Sequence, residues 1–583
     1  MDKLRNREMK KYIAIVWLAS LWFLSGCYDL DRAPSDQLSS STFWKTEDQC
    51  KQGVMGIYST FKKDDLFGKM FMIDVNSDVA SGYDQYEALQ LGTCTPTTGF
   101  LNDKWQNGYN TIQAANLAIR SIGNAEIDET AKKQMVGEAK FLRALAYFHL
   151  LDYFGGLPLY DEATNLEQEI NDLMKTRSTA EQTREFILQD LNAALQAGLP
   201  DKWNAANYGR VTKGAVYALL GKVQLYNKNY SEAIASFEEV LNPAYGHSLH
   251  ANFAELFTPA GNGSPEMIFG IVNLGGTGQN YGMPFAWYAG TRGTFGSCWN
   301  NTVPSTELGD MYEYKDGRPF NWDELFPGYA ADLDVRERVW RVTVNDAGTE
   351  VLNIPEEAEK IREMYAERDP RFAATVIAPY TTYPGWVANA TKTLTFYFAK
   401  NQMGGVAGLN EQYGFMRNNR GGWETYFWRK FVPEGNWSGA ITDRSHTPVN
   451  FPVIRLADVY LMLAECYNET GNQAKAVEYI NKVRERAGMA LINSGPAYLA
   501  ANGKEEVFRR IFRERAFELA NEGVRDSDLR RWRLSHTLLN RDENGITGKR
   551  LFTRKFNENR DYLWPIPSDE IEKNKALEQN PGW

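Results

Sequence analysis

Three aromatic side chains, Trp287, Tyr288 and Trp299, stand in a stretch hostile to helix. Between Gly261 and Gly296 the chain places ten glycines together with Pro265 and Pro284, a density no helix is expected to survive. The wider window from Tyr281 to Ala440 holds eight of the sixteen tryptophans. Rings on loops suit one chemistry well. A pyranose has an apolar face of C–H groups and an edge of hydroxyls. A flat indole or phenol covers the face at low entropic cost, and Asp, Asn or Arg takes the hydroxyls. Long loops on a rigid support are where such side chains are put to use.

Bond-breaking chemistry finds less support. A glycosidase needs two carboxylates about 5–9.5 Å apart, and 74 acidic residues supply many pairs from which one could arise. No HExxH, P-loop or nucleophile-elbow pattern occurs. His247 and His250, at i and i+3, could approach a metal. They follow Pro243 and Gly246 with no third ligand nearby, and are expected to be solvated. Asp542-Glu543-Asn544-Gly545 is similar to a fragment of a calcium loop whose later ligands are wrong. No catalytic residue, metal site or cofactor is therefore expected, with a structural calcium ion left open. Arg509, Arg510, Arg513 and Arg515 alternate with Glu505, Glu506, Glu514 and Glu518, which predicts pairing along a helix face. Lys+Arg 64 against Asp+Glu 74 gives a net charge of −10, which argues against a nucleic-acid partner.

The elements that must position these groups are mostly helical. The 583 residues correspond to roughly four domain-sized units or one large repeat-built domain. Val54, Ile57, Tyr58 and Phe61 share one helical face; Trp105, Tyr109, Ile112, Ala115 and Ile119 share a second. Phe141, Leu145, Phe148 and Leu151 mark a third helix, which breaks at Gly155-Gly156 and Pro158. Phe186, Leu188, Leu191 and Leu195 mark a fourth. Two later stretches repeat one pattern. Gly221 precedes Ala233 and Phe237 at the offsets by which Ala464 precedes Ala476 and Ile480, and in each a helix ends at Asn227-Lys228-Asn229 or Gly471-Asn472. Small residues facing a large one across two antiparallel helices follow tetratricopeptide logic.

The first thirty residues bear on the compartment. Lys3, Arg5, Arg7, Lys10 and Lys11 precede an apolar run from Ile13 to Leu24. Its length of about 18 Å is short of a bilayer core of about 30 Å, so it reads as a secretory signal. Leu24-Ser25-Gly26-Cys27 resembles a lipobox, in which the cysteine thiol is acylated and becomes the mature terminus. Removal of residues 1–26, with five basic and two acidic side chains, leaves −13. Attraction to anionic lipid then cannot be the anchor. The stretch to Ser41, with Pro34 and its serines, reads as a tether. Cys50, Cys94, Cys298 and Cys466 are far apart in sequence. A Cys50–Cys94 bridge is left open, and Cys466 is expected as a buried thiol.

Motifs along nearly the whole mature chain resemble the SusD/RagB family. Phe43-Trp44 with Gly53 and Gly56-Ile57-Tyr58 is similar to the family opening. Arg143-Ala144, Tyr147-Phe148 and Tyr153-Phe154-Gly155-Gly156-Leu157-Pro158-Leu159 form an internal signature. Arg210 to Ala215, Leu219 to Lys222 and Arg455 to Leu461 follow. So do Arg513-Glu514-Arg515 and Asp528-Leu529-Arg530-Arg531-Trp532. The end, Leu563-Trp564-Pro565-Ile566-Pro567 with Gln579-Asn580-Pro581-Gly582-Trp583, is the most specific match; Trp583 stands where Tyr is frequent. The resemblance implies a nutrient-binding outer-membrane lipoprotein of Bacteroidetes that sits as a lid on a SusC-like TonB-dependent transporter. It also implies cargo, usually a glycan, that is bound and passed inward uncut. Asp29 and Asp31 resemble surface-export signals of such lipoproteins. The site implied by the resemblance comprises Asp78, Tyr83 and Tyr86 after the first helix, and Tyr281, Trp287, Tyr288, Arg292 and Trp299 in the central stretch.

The expected architecture is mainly α: a helical scaffold with tetratricopeptide-like pairs and a long irregular insertion with little β structure. Its parts are a signal peptide at 1–26, a lipidated tether at 27–41, a helical region at 42–258, the aromatic insertion at 259–450 and a helical region at 451–583. The expected function is glycan capture at the cell surface. Peptide or glycopeptide cargo, which would favour strand edges and charged pockets, and a lipoprotein hydrolase remain the alternatives.

Overall fold

The computed structural model describes residues 43–164, 173–275, 282–295, 298–399, 411–416 and 423–583. The signal segment, Cys27 and the tether lie outside them. Helix α1 (Glu47–Thr60) starts at a capping box: the Thr46 hydroxyl accepts from the Gln49 N–H, and the Gln49 side chain accepts from the Thr46 N–H. Cys50, Val54 and Ile57 recur on its buried face. Helices α2 (Gly99–Gly123) and α3 (Glu129–Phe154) pack along each other, and α4 (Ala180–Gln196) packs on α3. Helices α5 (Lys213–Tyr226) and α6 (Tyr230–Val240) form the first repeat-like pair. A Cβ on Gly221 would stand 2.6 Å from the Phe237 ring, so the glycine lets the ring fill the groove between them.

Beyond α6 the chain leaves the helical layer. Its main strands are β1 (Ala80–Gly82), β2 (Met267–Ile271), β3 (Thr302–Pro304), β4 (Thr382–Val387), β5 (Ala390–Phe396) and β6 (Phe451–Arg455). Strands β2 and β6 pair antiparallel with Phe451 opposite Ile271, so the excursion leaves and returns on one two-stranded ribbon. Strand β1 pairs with β3, tying the segment after α1 to the excursion. Strands β4 and β5 form a hairpin whose turn residues Ala388 and Asn389 both have positive φ, 51° and 62°, matching the twist of the strands. One expectation is corrected here. Helix α7 (Phe285–Ala289) survives within the glycine-rich stretch, because Phe285, Ala286 and Ala289 bury one face of it.

The chain then re-enters the scaffold through α8 (Leu456–Glu469), α9 (Gln473–Arg486), α10 (Lys504–Leu519) and α11 (Arg525–Arg531). Ala464, Ala476 and Ile480 have no exposure, as the repeat pattern predicts. Helix α8 packs on both α6 and α10, so the two helical regions share one apolar core. The pairing expected along the face of α10 is corrected: Arg510 meets Glu313 at 3.0 Å and Arg515 meets Asp458 at 2.8 Å, partners on other elements, because the acidic face of α10 is turned inward. Glu518 accepts from Arg455 at 2.7 Å, from Arg371 at 2.9 Å and from Arg486. Glu514 pairs with Arg371 at 2.7 Å and with Arg484 at 3.1 Å. Burial works against the Glu518 carboxylate, but these arginines outweigh it and hold its pKa well below the ordinary range.

Among the described cysteines, Cys50, Cys94 and Cys466 are buried free thiols, Cys466 as expected, and no disulfide joins Cys50 to Cys94; Cys298 is buried too. Asp542-Glu543-Asn544 forms a strand rather than an ion-binding loop. Buried Glu543 accepts from Arg554 at 2.6 Å and from Ser81 at 2.7 Å. His247 and His250 are half-buried rather than solvated. His247 Nδ1 lies 3.1 Å from the Pro265 carbonyl, and the His250 N–H donates to Glu266.

Candidate functional site

Helix α7 sets the site. Phe285 stacks on Phe431 with centroids 4.5 Å apart and planes 7° from parallel. With that face fixed, Trp287 and Tyr288 point the other way and remain half-buried. Backbone bonds hold the neighbourhood: Trp287 N–H donates to Arg444 O at 3.2 Å, and Trp299 N–H to Trp287 O at 2.8 Å. The Trp287 and Trp299 rings meet edge to face at 5.5 Å, and Trp287 and Tyr288 lie 6.2 Å apart at 24°. Trp299 is 42% exposed. The β1–β3 pairing brings Tyr83 alongside, where its hydroxyl donates to Trp299 O at 3.1 Å.

Trp287 and Tyr288 border a cleft of about 950 Å³, of the size that takes several sugar units or a drug-sized ligand. Trp287 and Tyr288 form one wall, and Phe269 to Leu274 with Tyr208 to Arg210 form another. The floor and rim come from a π-helical turn, Asp64–Gly68, that ends the segment after α1. A side chain on Gly68 would meet the Lys62 carbonyl at 2.4 Å, so only glycine lets the chain fold back here. The turn presents Lys62, Lys63, Asp64 and Lys69 to the cleft. Lys69 pairs with Asp64 at 2.9 Å, and its ammonium sits 4.5 Å above the Tyr288 ring. Burial opposes its charge, but Asp64 outweighs burial and raises its pKa. The Arg444 guanidinium lies 4.1 Å over Trp287, within cation–π range. The Trp287 indole N–H is buried with no acceptor among the described residues.

The residues expected at the site divide. Trp287 and Tyr288 line the cleft, with Trp299 and Tyr83 beside them. Arg292 is half-buried near Cys298 and does not line the cleft. Tyr281 lies outside the described residues. Asp78 and Tyr86 are corrections. Asp78 is buried and bound by Arg525 through Nε at 2.7 Å and Nη2 at 2.8 Å, so its carboxylate holds α11 to the segment before β1. Tyr86 is 1% exposed, packed on Phe100 and Trp564. The sequence reading missed Lys62, Lys63, Lys69, Arg444 and Tyr208. The charged run from Lys62 to Asp65, directly after an apolar helix face, was the available signal. Among the described residues no cluster of three or more His, Cys, Asp or Glu could hold a metal ion.

A repeat-built helical scaffold that presents an open aromatic cleft defines a protein of the ligand-capturing class. Residues 265–583 match the model of the SusD family, and the chain belongs to that family. A second model, described as starch-binding and associating with the outer membrane, matches residues 30–225, and a tetratricopeptide repeat model matches 214–242. The family membership places the protein at the outer membrane. The chain is similar to SusD-like protein P2 of Formosa agariphila, at 26% identity over 99% of this chain and 100% of that one. Among solved structures it is similar to a SusD-like protein from Bacteroides fragilis, with a TM-score of 0.74, 24% identity and coverage of 95% and 100%. It is also similar to a laminarin-binding SusD-like protein, with a TM-score of 0.66, 23% identity and coverage of 92% and 100%.

Proposed function

We propose that the protein is a surface lipoprotein, anchored through Cys27, that captures an oligo- or polysaccharide in the aromatic cleft and delivers it uncut to a SusC-like TonB-dependent transporter. The observation that carries this reading is the cleft lined by Trp287 and Tyr288, with Trp299 packed edge to face on Trp287 beside it. Aromatic side chains that line an open cleft suit the C–H face of a sugar. The carboxylates at the cleft support binding over hydrolysis: Asp64 is paired with Lys69 and Asp65 is buried against Gln85. The starch-binding description of the second family model and the laminarin-binding neighbour agree with glycan cargo.

The test is affinity electrophoresis of residues 39–583 against plant, microbial and host polysaccharides, with product analysis of the same mixtures. Retardation without released sugar is the expected result. Released oligosaccharide, or no retardation on any glycan, would overturn it.

A further inference from the structure

The cleft wall that holds no tryptophan has a ring of its own. Tyr208 lines the cleft and is 46% exposed. A single exposed aromatic needs no explanation; one that is held rigidly in the open does. Tyr208 is held at both ends. At the ring tip, its hydroxyl oxygen accepts from the Gly263 N–H at 3.1 Å and from Asn450 Nδ2 at 3.2 Å. Asn450 is itself fixed: its N–H donates to Asn262 Oδ1 at 2.8 Å, and its Oδ1 accepts from the Asn273 N–H at 2.9 Å. At the backbone, Gly209 has a φ of 89°, and a Cβ there would stand 2.5 Å from a Val272 methyl, so only glycine lets the loop lie this close to the wall. Arg210 binds the fully buried Glu138 through Nε at 3.1 Å and lies 4.0 Å over the Trp203 ring. The Val211 N–H donates to the hydroxyl of Tyr58, another cleft residue, at 2.8 Å. These bonds set the ring in place before any ligand arrives, so binding against it costs little side-chain entropy.

We propose that Tyr208 is a second platform for sugar, on the other wall from Trp287 and Tyr288, and that the cleft takes an internal stretch of a glycan, several units touching both walls, rather than one terminal sugar. This rests on the glycan-capture reading above and adds the form of the substrate and a residue that selects it. A single pyranose is far smaller than a cleft of about 950 Å³. A chain fills it and uses the rings of both walls.

The experiment takes the polysaccharide most strongly retarded in the electrophoresis screen and a sized ladder of its own oligosaccharides from the disaccharide upward. Isothermal titration calorimetry compares the unaltered protein with Tyr208→Ala and Tyr208→Phe. The unaltered protein should gain affinity with chain length well past the disaccharide. Tyr208→Ala should lose roughly tenfold on the long members, as truncation of an aromatic anchor does, and match the unaltered protein on the disaccharide. Tyr208→Phe keeps the ring and loses only the oxygen that Gly263 and Asn450 reach, so it should stay within about threefold of the unaltered protein. Thermal melts of both variants separate binding from bracing. If both melt earlier yet bind every length as the unaltered protein does, Tyr208 is only a strut and the proposal is overturned. Affinity that stops rising at the disaccharide overturns the internal-stretch reading and leaves glycan capture standing. Retardation on no polysaccharide in the screen overturns both.

Discussion

Around Glu518, Arg371, Arg455 and Arg486 converge on a carboxylate with no solvent exposure. At the cleft, Arg444 lies over the ring of Trp287 and Lys69 over that of Tyr288. The tryptophans differ in the same way. Trp340 and Trp428 are fully buried, with indole N–H groups donating to Tyr329 at 2.7 Å and Thr302 at 3.3 Å. Trp287 has no acceptor among the described residues, and Trp299 is 42% exposed. In the scaffold the Glu518 carboxylate and the Trp340 and Trp428 indoles are met internally, which locks elements together, although Arg486 Nε and the buried Trp564 indole N–H lack partners among the described residues. At the cleft the same residue types are reachable: Trp287 and Tyr288 line the opening and Trp299 is 42% exposed. Residue type alone does not separate core from site; access does.

The largest expected effect comes from breaking the locked side. Glu518→Ala strips the shared acceptor from three buried guanidinium groups and should cost about 3–5 kcal/mol of stability. Urea unfolding followed by circular dichroism measures it. Glycan affinity measured well below the transition should stay at the wild-type value. A loss of affinity with little loss of stability would erase the division drawn here.

Trp299→Ala and Trp287→Ala probe the open side. Each should weaken glycan binding roughly tenfold or more, as truncation of an aromatic anchor does. Trp299→Ala should lower the unfolding midpoint less than Trp287→Ala, since Trp299 is 42% exposed while Trp287 is packed between its neighbours. Isothermal titration calorimetry alongside thermal melts separates the two effects. A drop in melting temperature that matches the lost binding would return Trp299 to the core.

How far these two regions could be read in advance follows from their physics. The helix pairs were legible because steric need leaves a trace in residue type. Gly221 is small where Phe237 crosses, and Ala464 and Ala476 are small on a shared face. The aromatic wall was legible in part, because Trp287, Tyr288 and Trp299 sit among glycines. Asp78 and Tyr86 misled because burial depends on partners far away in sequence. Asp78 meets Arg525 and Tyr86 meets Trp564 only once the C-terminal helices fold back over the first ones. The lysines were missed for the converse reason. A charged run after a helix ordinarily faces solvent, and only the turn that Gly68 permits carries Lys62 and Lys63 into the cleft.

A smaller effect tests the steric reading of the scaffold. Gly221→Ala places a Cβ about where the fully buried Phe237 ring lies. Overpacking costs about 1–3 kcal/mol, against a helix-propensity gain of about 1 kcal/mol. The net expectation is a loss of up to about 2 kcal/mol. Gly53→Ala makes a nominally closer contact, with Trp44, but that ring is only half-buried and can swing outward. It should cost less, and differential scanning calorimetry of the pair orders the two.

The last effect concerns pH and a group on the locked side that is not fully satisfied. Asp74 has no exposure. Burial pushes its carboxyl up to about 7, although the backbone N–H groups of Gly523 and Arg525 donate to it. A carboxyl whose pKa is raised on folding takes up a proton as the chain folds. Its contribution to stability is therefore full below the unfolded value of about 3.9 and is lost as pH rises through about 7. Glu518 has the opposite sign: its depressed pKa gives stability above about 4.3 that is lost only on strong acidification. Asp74→Asn removes the first dependence and leaves the second. The variant should gain on the wild type by up to about 2.6 kcal/mol between pH 5 and pH 8, read from melts at both values. A difference that stays constant over that range would mean that Asp74 is ionised throughout, and that its two backbone donors outweigh its burial.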